Sequence, residues 1–74
     1  LESPLKDKYK IIERAIVVIR AAMIKIDSLI EESSKDDEVR ELLFSKRLAL
    51  HNMLDSLIKY KLRIEKELRR EGIL

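Results

Sequence analysis

His51 and Asp55 stand four residues apart, the spacing that sets an imidazole and a carboxylate on one face of a helix within reach of each other. Such a pair can share a proton, orient a ligand, or make a polar contact that fixes how two helices meet. Asn52 and Ser56 lie beside it and widen the set to four hydrogen-bonding side chains. Catalysis needs more than this. A nucleophile beside its base, a Gly-rich loop cradling phosphate and a metal-ligand spacing are all missing from the 74 residues. An enzyme is therefore the class the sequence opposes most, and no cofactor is implied. One histidine and no cysteine supply too few ligands for a metal, unless symmetry gathers several copies of His51 and Asp55. The acidic pairs Glu31 with Glu32 and Asp36 with Asp37 fall at helix ends, where capping and solvation account for them.

The polar set has two plainer readings. Buried between chains, it would cost stability and set partner register, as a lone Asn does in a coiled-coil seam. At the edge of a stripe it would simply be wet. A His51 buried in an interface would charge near pH 6 and make assembly acid-sensitive.

The elements that carry these residues are legible as two apolar ladders. Leu5, Tyr9, Ile12, Ile16, Ile19, Met23, Ile26 and Ile30 step by four and three, the seam of a heptad helix. Val39, Leu43, Lys46, Leu50, Met53, Leu57, Tyr60 and Ile64 do the same. Folding the chain at Ser34 pairs Ile30 with Val39, Met23 with Lys46 and Tyr9 with Tyr60. The expected fold is all-α: an antiparallel two-helix hairpin that joins a larger, coiled-coil-like bundle. Helix 1 is predicted at about 4–32, the turn at 33–34 and helix 2 at about 35–71, with the end of helix 2 overhanging. Ser3 before Pro4 marks the first start. Ser34 with Asp37 resembles a capping box for the second, and Gly72 is the natural stop. In this register Lys46 snorkels out of the seam. Tyr9 and Tyr60 form an end layer with wet hydroxyls, and Met23 and Met53 fill gaps.

A hairpin needs one apolar seam per helix, and each helix here has a second. Helix 1 carries Ile11, Ala15, Val18, Ala22, Lys25 and Leu29, with Val17, Ala21 and Ile24 on the side that should be wet. Helix 2 carries Phe44, Leu48, His51, Asp55, Ile58 and Leu62. Bare in a monomer, these stripes would make an apolar patch beyond a few hundred Å². Copies of the chain are therefore the expected partners, with the more continuously apolar helix 1 innermost. The interface is expected at Ile11, Ala15, Val18, Ala22, Ile24, Leu29, Phe44, Leu48, Ile58 and Leu62, with His51, Asn52, Asp55 and Ser56 setting specificity. Oligomer statistics favour a two-fold dimer, and a different helical hairpin is the other partner the pattern fits.

Composition narrows the field further. The chain is long enough for one domain, and a lone core of this size rarely supplies more than about 3–5 kcal/mol. Charged residues make up 41% with a net charge of only +2, so the signs are interspersed and no broad basic footprint exists for nucleic acid or anionic lipid. The basic run Lys59, Lys61, Arg63, Lys66, Arg69 and Arg70 is diluted by Glu65, Glu67 and Glu71 and reads as a solvated face. No nucleic-acid or membrane partner is expected. The most apolar window, Ala15 to Ile24, is far shorter than the ~20 residues of a membrane span. With no signal-peptide pattern and no cysteine, the chain reads as soluble and of cytoplasmic type.

These devices resemble those of de novo designed helical hairpins that assemble into bundles with built-in hydrogen-bond networks. The likeness lies in Ser3-Pro4, the run Ser33-Ser34-Lys35-Asp36-Asp37-Glu38-Val39-Arg40-Glu41-Leu42-Leu43, the close Arg69-Arg70-Glu71-Gly72, and the polar His51, Asn52 and Asp55 within apolar stripes. The β-branched run Ile16-Val17-Val18-Ile19 departs from that style. The resemblance implies a self-assembling structural module whose polar core residues confer oligomer specificity. A binding-class alternative is a helix presenting the Phe44, Leu48, Ile58 and Leu62 face to an unrelated protein.

Overall fold

The computed structural model describes residues 4–74, and they form two helices, α1 at Pro4–Glu32 and α2 at Asp37–Arg70. The pair runs antiparallel as a rod of 55 × 16 × 14 Å. Its radius of gyration is 16.7 Å, against about 11 Å for a compact chain of this length. The all-α hairpin is as expected, and α1 spans the expected residues. The Ser3 start lies outside the described residues.

The turn differs from the sequence reading. It occupies 33–36, and the N-cap of α2 is Asp36, not Ser34. Asp36 is extended (φ −120°, ψ 98°) and its Oδ1 accepts from the Val39 amide at 3.2 Å. Asp and Ser cap about equally well, so the local signal could not choose between them. Geometry chose. Ser33 spends its hydroxyl on the Leu29 carbonyl, and the Asp36 amide closes a turn on the Ser33 carbonyl at 3.0 Å, so reversal is complete only at Asp36.

At the far end α2 stops through a Schellman motif. Gly72 takes φ 77°, its amide bonds the Arg69 carbonyl at 3.0 Å, and the Ile73 amide reaches the Leu68 carbonyl at 2.9 Å. Only glycine adopts that backbone region without strain.

The seam of α2 also differs. Leu43, Leu50, Leu57 and Ile64 face α1 as expected, but the alternate rungs are Arg40, Arg47, Leu54, Lys61 and Leu68. Val39, Lys46, Met53 and Tyr60 turn outward and are exposed. Lys46 therefore does not sit in the seam, and Met53 fills no gap. Tyr9 does not meet Tyr60. Its hydroxyl donates to Glu65 Oε1 at 2.8 Å, five residues further along α2. The Glu13–Lys61 and Asp27–Arg47 pairs show the same offset from the symmetric fold. The cause is the tilt of side chains toward the N-terminus of their own helix. In an antiparallel pair those tilts are opposed, so each α1 side chain meets an α2 residue whose Cα lies further from the turn.

The main buried cluster lies toward the open end of the rod, and Ile19 and Ile30 are buried separately along α1 toward the turn. Ile12, Ile16, Ile64 and Leu68 form the buried cluster, with Leu5, Tyr9, Leu54, Leu57 and Ile58 packed on it. Leu68, expected in an overhang, is the most buried side chain at 1% exposure. Burying a leucine fully contributes about 1.5–3 kcal/mol.

Candidate interaction surface

Three polar contacts flank the seam and hold its register. Tyr9 bonds Glu65, and the Lys61 ammonium lies 4.0 Å from Glu65 Oε1, 3.9 Å from Glu13 Oε2 and 5.6 Å from the Tyr9 ring centroid. Nearer the turn, Arg47 Nε donates to Asp27 Oδ1 at 2.5 Å. The hydrogen bond to Glu65 raises the Tyr9 phenol above its ordinary value, and partial burial and the negative charges of Glu65 and Glu13 add to it against a small opposing pull from Arg69. The hydrogen bond and charge of Asp27 likewise raise Arg47. The Arg47–Asp27 pair is open to solvent and the Tyr9–Glu65 bond is half-buried, so the first serves to fix register more than to stabilise. Among the described residues Arg40 Nε is buried without a partner while its guanidinium lies 5.7 Å from the Phe44 ring centroid.

None of these residues stood out in the sequence as a site. The signal that could have found them is the charge pattern of the rungs themselves. Arg47 and Lys61 face α1 at heptad steps, and Lys61 and Glu65 form an i,i+4 pair.

The polar set expected to confer specificity lies on the surface of the single chain. His51, Asn52, Asp55 and Ser56 are all exposed. Asp55 engages Lys59 at 3.0 Å, and no hydrogen bond joins it to His51 among the described residues. His51 instead lines a shallow hollow with Phe44, Arg47 and Leu48. No group of three or more metal-ligating side chains occurs among the described residues, and no described helix is long and apolar enough to cross a membrane. The basic run is largely occupied by its own neighbours: Lys59 by Asp55, Lys61 by Glu13 and Glu65, Arg70 by Glu67, with Arg63 over Tyr60.

The expected interface residues divide by depth. Ile11, Val18, Ile24, Leu29, Phe44, Leu48 and Leu62 are exposed. Ala15 and Ala22 are half-buried at the edge of the α1 seam, and Ile58 packs partly on the chain's own core. Fourteen large apolar side chains are exposed among the described residues, against six in the core. Two shallow hollows are lined by α1 alone and two by α2 alone.

No protein-family model, no curated protein and no solved structure matches this chain.

Proposed function

We propose that the chain is a structural module whose activity is self-association through its second apolar stripes, without catalysis. The observation that supports this most is the reversed balance of burial: Val18 is 66% exposed and Ile24 69%, in the middle of an α1 whose opposite edge is the core. Soluble monomers scatter apolar residues singly and keep continuous patches small. Here they recur at heptad steps along both rods. A second copy offers the same spacing and satisfies both stripes with one gene product. His51, Asn52, Asp55 and Ser56, set within the α2 stripe, are then the residues that choose the partner.

Sedimentation equilibrium of the pure chain tests the proposal. The expected result is a mass that is a multiple of 8.7 kDa at micromolar concentration. A single-chain mass that persists to millimolar concentration overturns it and leaves the heterologous binder, presenting Phe44, Leu48, Ile58 and Leu62, as the reading to pursue.

A further inference from the structure

Resting on the self-association reading, we propose that neighbouring copies join head to tail, the α1 stripe of one packing on the α2 stripe of the next, and not as a two-fold pair. The placement of the stripes carries this. Each helical residue advances about 100°, which puts the α1 stripe roughly a quarter-turn to one side of its seam and the α2 stripe roughly a quarter-turn to the other. In an antiparallel pair, positions displaced in the same sense share a face, so these two stripes lie on opposite faces of the hairpin. A two-fold contact pairs a patch with itself and would leave the other stripe bare. A heterologous contact covers both.

The two surfaces also complement each other. Copies arranged in a ring or row stand at one height and point one way, so the α1 of one is antiparallel to the α2 of its neighbour. The offset seen within the chain at Tyr9–Glu65, Glu13–Lys61 and Asp27–Arg47 then applies between chains. It brings Ile11 level with Leu62, Ala15 with Ile58, Ala22 with His51 and Leu29 with Phe44. Small residues thus meet large ones at the middle rungs, which lets the helices approach closely. Lys25 and Asp55 are the single charged members of their stripes and fall level with Leu48 and Val18 across this contact, about two turns from each other.

The absence of native cysteine makes the test direct. Ile11→Cys and Leu62→Cys replace exposed side chains and should leave the hairpin folded, as circular dichroism would confirm. Each variant alone, and then an equal mixture, is treated with a short bis-maleimide and run on a denaturing gel. A covalent dimer in the mixture with only background in either variant alone is the expected result, and the pair Leu29→Cys with Phe44→Cys should repeat it at the other end. Self-linking of one variant, or no gain on mixing, in a sample whose mass is oligomeric overturns the head-to-tail contact while leaving self-association intact. A single-chain mass instead overturns the underlying reading.

Discussion

Tyr9 shows how one side chain came to be misplaced by pattern and placed by chemistry. As an apolar rung it pairs symmetrically with Tyr60. As a phenol it needs an acceptor, and Glu65 supplies one at 2.8 Å. The same bond yields a prediction. Because Tyr9 is raised above its ordinary value of about 10, its proton favours the folded state. That contribution is complete below pH 10 and is lost as pH rises through the higher folded value. Tyr60→Phe leaves Tyr9 as the sole tyrosine, so absorbance titration of tyrosinate should give a midpoint above that of the same chain in denaturant. Adding Glu65→Ala removes the largest cause and should bring the two midpoints closer. Equal midpoints before that change would mean the bond does not form in solution. The cationic rungs teach a related lesson. Arg40, Arg47 and Lys61 score poorly as seam residues, so counting apolar side chains favoured Val39, Lys46, Met53 and Tyr60. Long cations can lay their stems along a seam and keep their charge at its rim, where Asp27 and Glu13 meet Arg47 and Lys61.

At the scale of the element, helix existence was plain in the sequence and helix ends were only partly so. Pro4–Glu32 follows from an unbroken four-and-three ladder with no internal breaker, and the close at Gly72 follows from glycine's access to positive φ. The start of α2 did not follow, because Ser34 and Asp36 are rival caps of similar strength. The structure separates them by what each side chain bonds. Asp36→Ala should therefore destabilise the hairpin by about 0.5–2 kcal/mol. Ser34→Ala, away from any capping contact, should change it by less than about 0.5 kcal/mol. Urea melts followed by circular dichroism decide between them, and the reverse ranking would return the cap to Ser34.

Over the whole molecule, a rod 16 Å wide has too little interior for its apolar content. Two helices meet along one line, and the core gathers at the open end around Leu68 and Ile64. Stability is then expected to depend on neighbours, because anything that binds only the folded chain adds to its stability by mass action. Thermal melts at 10-fold steps in chain concentration should show the midpoint rising, and a midpoint independent of concentration would speak for a self-sufficient monomer. The sequence by itself determined the helical class, the antiparallel hairpin, α1 from end to end and the presence of surplus apolar stripes, because heptad spacing and breakers are local properties. Only the tertiary structure decided the cap at Asp36, the exchange of every second rung of α2, and the five-residue offset that buries Leu68. Those depend on how opposed side-chain tilts and specific ion pairs mesh across two helices, and a one-dimensional pattern carries neither.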